Sequence, residues 1–181
     1  MVSSARGGGG EVIGRVISGG QTGADQAGWR AARAYGVPTG GAMPRGFLTE
    51  EGLQLEFAER YRAFELPTNS YPERTRRNVA DSEGTLWFGD HHSTGGRTTL
   101  DACREQGKPF LIVFVAITKP SQVRDWLEEK GIRPLNVAGN RESTSPGIGE
   151  RVERFLGVVL RGARSHDGGR EPGGRRLHSD R

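Results

Sequence analysis

The sequence predicts an α/β fold: a mainly parallel sheet of about five strands with helices on both faces, in three layers. Two observations carry this. Apolar strand-like runs alternate with helix-periodic segments from end to end, which is the pattern of a parallel sheet wrapped by its crossover helices. The run "PFLIVFVA", Pro109–Ala116, is apolar throughout, as expected of a strand buried on both faces, so it is read as central and parallel.

The elements follow in order. Val12–Ser18 reads as a buried strand. Ala24, Ala27, Ala31, Ala34 and Tyr35 recur at helical spacing, with Gly36 and Pro38 as stops. Val37–Ala42 is a short second strand. From Met43 to Tyr71 the signal is poor: "MPRGFLTEEG" reads as a loop, and "LEFAERYRAF" as a helical turn or an irregular crossover. Pro72–Ala80 is a basic helix, Thr85–Gly89 a third strand, and Thr98–Gln106 a helix stopped by Gly107. Ser121–Lys130 is an amphipathic helix, with Ser121 as N-cap and Gly131 as stop. Pro134–Ala138 is the last strand, and Pro146–Leu160 the last helix.

Residues 11–161 are expected to form one domain. Residues 1–10 and the Gly/Arg-rich 162–181 have too little apolar surface to offset ordering entropy and are expected to be disordered. That tail holds five arginines against three acids, so half of the net charge of +4 lies there. In the domain itself, acidic and basic residues interleave. No concentrated basic face for nucleic acid is visible, and a mild basic excess suits a small anion. Cys103 is the single cysteine, which excludes an internal disulfide and a Cys-rich zinc site. No secretory signal or membrane span is visible, and the expected compartment is the cytoplasm.

Ligands of parallel α/β sheets bind at the carboxyl ends of the strands. The loops to inspect are therefore 18–23, 43–47, 89–97 and 136–147. In "SGGQTGADQAGW", Gly19, Gly20 and Gly23 would let backbone N–H groups approach an oxyanion, with Gln21, the Thr22 hydroxyl and a helix N-terminus beside them. Asp25 would cap the helix or meet a ligand hydroxyl. A dinucleotide fingerprint is not met, because position 18 is Ser and the end of the second strand, through Arg45, has no carboxylate for a ribose. The alternative is a tight turn with no ligand. "STGGRTTLDAC" repeats the pattern with Gly95, Gly96, Thr98 and Thr99, and Arg97 offers a fork for an oxyanion. In "PERTRRNVADSEGT", Arg74, Arg76 and Arg77 cannot all point one way. Arg76, with Asn78, is the candidate to reach the crevice. Asn136 and Gly147 bound a polar loop that could hold a base, a pterin ring or nothing. His91 and His92 diverge too much to chelate and read as a surface loop. Cys103 and Trp87 read as core, and Trp29 and Trp126 as partly buried. No general base and no metal-spaced set of ligands stands out.

Taken together, "SGGQTGADQAGWRAA", "GVPTGGAMPRG", "YPERTRRNVADSEGTLWF", "TGGRTTLDACREQGKP" and "LNVAGNRES" resemble the bacterial family named putative molybdenum carriers, relatives of the molybdenum cofactor carrier proteins. The resemblance spans about residues 14–160. It implies a Rossmann-like fold, a homo-oligomer (often a tetramer), and binding of molybdenum cofactor (molybdopterin) without turnover, with molybdoenzymes or cofactor-synthesis proteins as partners. The wider superfamily includes lysine-decarboxylase-like phosphoribohydrolases, with the motif Pro-Gly-Gly-x-Gly-Thr-x-x-Glu. Gly95, Gly96 and Thr99 match it. Thr94 replaces the Pro, Thr98 the third Gly, and Ala102 the catalytic Glu. Asp101 lies one place off, about 100° round the helix. The resemblance thus implies a holding site more than a hydrolase. The alternative is a nucleotide sensor, or an enzyme acting on a nucleoside monophosphate or an ADP-ribose derivative.

Overall fold

Six parallel strands form one sheet: β1 (Arg15–Ile17), β2 (Thr39–Met43), β5 (Ala63–Glu65), β6 (Gly84–Phe88), β7 (Phe110–Val113) and β8 (Pro134–Gly139). Their spatial order is β5-β2-β1-β8-β6-β7. The structure is a computed structural model and describes residues 13–164. The chain runs outward from β1 through β2 to the β5 edge, crosses to β6 and the β7 edge, and returns as β8 between β1 and β6. That reversal opens a crevice at the carboxyl ends of β1, β8 and β6.

Helices α1 (Ala24–Ala34), α5 (Pro120–Lys130) and α6 (Ile148–Arg164) pack together on one face. Helices α3 (Tyr71–Ala80) and α4 (Thr94–Glu105) pack on the other. The result is the three-layer, Rossmann-like α/β arrangement expected. Strand β8 shows why both faces are covered. Leu135 and Val137 are buried in the main core with Leu86, Phe88, Val152 and Phe155. Asn136 and Ala138 point to the opposite face, as strand alternation requires. Each fully buried side chain of this kind contributes about 1.5–3 kcal/mol.

Several expectations change. The sheet gains a sixth strand, β5, preceded by a short helix α2 (Phe57–Tyr61). Between β2 and α2 a two-stranded hairpin, β3 (Leu48–Thr49) and β4 (Gly52–Leu53), replaces the expected loop. Strand β7 is parallel but lies at the sheet edge: Phe110, Leu111 and Ile112 are only half-buried. Its apolar run reflects contacts on two faces, which an edge strand also makes. Helix α5 is capped at Lys119, whose N–H donates to Gln122 Oε1 at 2.8 Å, because Pro120 sets the first helical position. Helix α4 begins at Thr94, so Gly95 and Gly96 belong to its first turn and not to a preceding loop. Ser93 Oγ caps it by accepting from Gly96 N–H at 3.1 Å.

Trp29 is fully buried, stacked on Tyr61 at 4.6 Å, with its Nε1 donating to Gly40 O at 2.9 Å. Helix α6 reaches Arg164, into the stretch expected to be disordered. The remainder of the two end segments lies outside the described residues. Among the described residues no helix is long and apolar enough to cross a membrane.

Candidate functional site

The crevice has a volume of about 520 Å³. Its floor is Trp87, Asn136 and Ala138. One wall is the inner face of α3, the other the first turn of α4, and residues 139–144 close the top. On α3, Tyr71, Arg74, Thr75 and Asn78 line it together, being spaced i, i+3, i+4, i+7.

Helix N-termini are the natural anion sites of such a fold, and here most of them already hold an oxygen from the protein itself. At α1, Gln21 N–H donates to Asp25 Oδ2 at 3.3 Å, Thr22 N–H to Gln21 Oε1 at 3.1 Å, and Ala24 N–H to Asn140 O at 3.2 Å. At α6, the Glu142 carboxylate accepts from both Gly147 and Gly149 N–H. At α4 the cap serves only Gly96. The N–H groups of Thr94 and Gly95 have no acceptor among the described residues, and both residues line the crevice, with Thr98 and Thr99 one turn on. Both hydroxyls donate back along the helix, Thr98 Oγ1 to Thr94 O and Thr99 Oγ1 to Gly95 O, each at 2.9 Å. Their lone pairs remain for a ligand.

The glycines of the first loop have other work. At Gly20 a Cβ would lie 2.6 Å from the Met43 side chain and 2.8 Å from Trp29, and at Gly23 2.5 Å from Asn140 O. Both have positive φ, 72° and 76°. They allow this loop to pack against β2 and the 140–147 segment. Both positions meet the packing demands of a tight turn.

Charge in the crevice comes from Arg74, Arg141 and Asp25. Arg74 Nη1 donates to Asp25 Oδ2 at 3.0 Å, and the two side chains are 14% and 6% exposed. Burial pushes the Asp25 carboxyl above its ordinary value, against the pull of the Arg74 guanidinium and of the Gln21 and Gly139 N–H groups. Above the crevice, Glu50 on the β3–β4 turn joins two loops: the Thr22 and Ser143 hydroxyls both donate to it. Its burial is slight and raises its pKa, but these hydrogen bonds outweigh that and hold the carboxyl below its usual range.

Of the residues expected at the site, Gly19, Gln21, Asp25, Asn78, Gly95, Thr98, Thr99 and Asn136 line the crevice. Gly20, Thr22, Gly23, Arg45, Arg76, Gly96, Arg97 and Gly147 do not. Arg45 is exposed beyond β2. Arg76 pairs with Glu105 at 3.7 Å on the outer side of α3. Gly96 is buried against the His91 backbone. Arg97 turns away, its Nη1 donating to His92 O at 2.6 Å. Asn78 is committed to β2: its Nδ2 donates to Ala42 O at 3.0 Å and its Oδ1 accepts from Ala42 N–H at 2.7 Å. Asn136 Nδ2 donates to Thr85 Oγ1 at 3.2 Å. Tyr71 lines the crevice without having been singled out in the sequence, Arg74 was left open among three arginines, and Ser93, Thr94, Asn140, Arg141 and Thr144 lie in the inspected loops 89–97 and 136–147. Asp101 is exposed and pairs with Arg104 at 2.6 Å, while Ala102 and Cys103 are buried with Val79. None of these lines the crevice. His91 and His92 lie in the loop outside it, their rings 4.0 Å apart.

Comparison with known proteins agrees with this fold. Among curated proteins no sequence matches. A crystal structure titled as a putative molybdenum carrier protein, from Syntrophus aciditrophicus SB, superposes with a TM-score of 0.76 at 34% identity, covering 83% of this chain and 96% of that one. The profile of the circularly permutated YpsA SLOG family matches residues 16–160, from the start of the sheet through almost the whole of α6 and including every crevice residue. The chain belongs to that family, in its molybdenum carrier-like branch.

Proposed function

We propose that the crevice holds molybdenum cofactor, or its metal-free pterin, and does so without turnover. The observation that carries this is the α4 N-terminus: Thr94 and Gly95, whose N–H groups have no protein acceptor among the described residues, and the positive end of a helix dipole border a crevice large enough for a pterin. Thr94 and Gly95 would receive the phosphate of such a ligand through their N–H groups. Trp87 lies in the floor, and its indole Nε1 is buried and without a partner. Among the described residues no three metal-ligating side chains gather, so oxo groups on a bound metal would be met by hydrogen-bond donors. The name of the Syntrophus protein points the same way. The position of the catalytic Glu in the related phosphoribohydrolase motif is taken by Ala102, which is buried in helix packing and brings no carboxylate to the crevice.

The test is to purify the protein with its native ligand, measure its metal, and oxidise the extract to look for pterin fluorescence. Molybdenum or pterin at a sizeable fraction of one per chain is expected. Finding neither would contradict the reading. One observation favours the nucleotide alternative: Asp25 is a crevice carboxylate that burial makes easier to protonate. Release of free base from nucleoside monophosphates, abolished in Asp25→Asn, would support it.

A further inference from the structure

We propose a second oxyanion subsite in the crevice, built by Arg74 and Arg141 around Tyr71 and distinct from the α4 N-terminus. It would take a tetrahedral or oxo-bearing anion such as phosphate or molybdate. The proposal rests on the reading above, since it supplies the other end of a ligand with two anionic groups.

Three observations carry it. Both guanidinium groups lie against one aromatic ring, Arg74 at 5.5 Å and Arg141 at 5.0 Å from the Tyr71 centroid, and all three residues line the crevice. Tyr71 is held there by Gln21, whose Nε2 donates to its hydroxyl at 3.4 Å. The two positive charges face one crevice carboxylate, Asp25, which Arg74 alone engages. Arg141 makes no ion pair among the described residues, although its charge reaches Glu50 on the neighbouring turn. Arg74 also has a donor to spare: its Nε is buried with no partner. A guanidinium with one edge on a carboxylate and the other unsatisfied is poised for a second oxyanion.

The place is built for that guanidinium. A Cβ on Gly19 would stand 1.5 Å from Arg74 Nη1 and 2.4 Å from Cζ. Glycine at the end of β1 is what lets Arg74 lie across the loop and reach Asp25. Asp25 then has two roles. It fixes Arg74 in the crevice, and its negative charge opposes any anion that arrives there.

Calorimetric titration of inorganic phosphate, and separately of molybdate, into the intact chain tests this. Two anions per chain are expected. Arg141→Gln is expected to remove one and leave the other's affinity unchanged. Asp25→Asn is expected to tighten the arginine subsite by about tenfold, because a nearby like charge is removed. Gly19→Ala, which displaces the Arg74 guanidinium without removing it, is expected to weaken the same subsite severalfold. Thr94→Pro, which deletes one N–H at a helix position that tolerates proline, is expected to remove only the α4 anion. If one anion binds and responds to Thr94→Pro but not to Arg141→Gln, Asp25→Asn or Gly19→Ala, the arginine subsite is overturned and the α4 reading stands. If the three variants act and Thr94→Pro does not, the α4 assignment falls and the subsite stands. No anion bound by the wild type overturns both.

Discussion

At the scale of single residues, the Arg74–Asp25 pair decides most. Both side chains are largely buried, so the pair's value lies less in its attraction than in what is left if it is broken. Arg74→Met would leave a buried carboxylate without its cation. We expect it to cost about 3–5 kcal/mol in chemical denaturation at neutral pH, with much of this restored in Asp25→Asn/Arg74→Met. The sign with pH is fixed. A carboxyl whose folded pKa is raised binds more protons when folded, so stability falls as pH rises from the unfolded value of about 3.9 through the folded one. The deficit of Arg74→Met should widen over that rise, and an equal deficit at pH 4 and pH 7 would contradict this.

Arg97 is the opposite case. Next to two glycines and a helix start it reads as an anion ligand, yet its guanidinium caps the His92 carbonyl. Arg97→Ala is expected to change ligand affinity by less than about twofold, since it lacks the charged hydrogen bond that would make it matter. Which of the three arginines lines the crevice was legible in the sequence. Counting from Asn78 in steps of three and four reaches Arg74 and Tyr71, and leaves Arg76 and Arg77 on other faces. Composition alone did not choose among the three.

At the scale of elements, the two glycine-rich helix starts differ in which N–H groups the protein itself answers. In the loop before α1, the N–H groups of Gln21, Thr22 and Ala24 are answered from within, by Asp25, Gln21 and Asn140. Helix α4 has two glycines in its first turn and leaves two donors open. The difference lies in long-range partners such as Asn140, which local sequence does not reveal. The same holds for the upper rim, where Glu50 ties the β3–β4 hairpin to residues 140–147 through Thr22 and Ser143.

The Glu50 carboxyl is depressed in the fold, so its contribution is present above the unfolded pKa of about 4.3 and is lost as pH falls through the folded value. Limited proteolysis should cut the 140–147 segment faster in Glu50→Gln than in wild type at pH 7. The two should converge as pH falls through the folded value. A rim whose cleavage is unaffected by Glu50→Gln at pH 7 would contradict the tether. Strand β5 was missed for a related reason: three residues at a sheet edge, two of them exposed, carry almost no apolar pattern.

At the scale of the whole molecule, strand alternation was enough to predict a parallel three-layer sheet, while the order β5-β2-β1-β8-β6-β7 was not legible. Yet that order makes the site. The return of β8 between β1 and β6 sets Asn136 and Ala138 in the floor beside Trp87. The start of α4 then faces the start of α3 across them. Loop 43–47, predicted to share the crevice, lies outside it, because β2 leads outward to β5 and the hairpin. The central claim is that the open end of α4 holds the phosphate of a pterin-class ligand in this crevice. The most direct measurement compares the pterin carried by wild type and by Thr94→Pro, purified side by side and oxidised to the fluorescent form. The account predicts pterin on the wild type and a severalfold loss in a Thr94→Pro protein of unchanged melting temperature. No pterin on the wild type, or equal amounts on both, would contradict it.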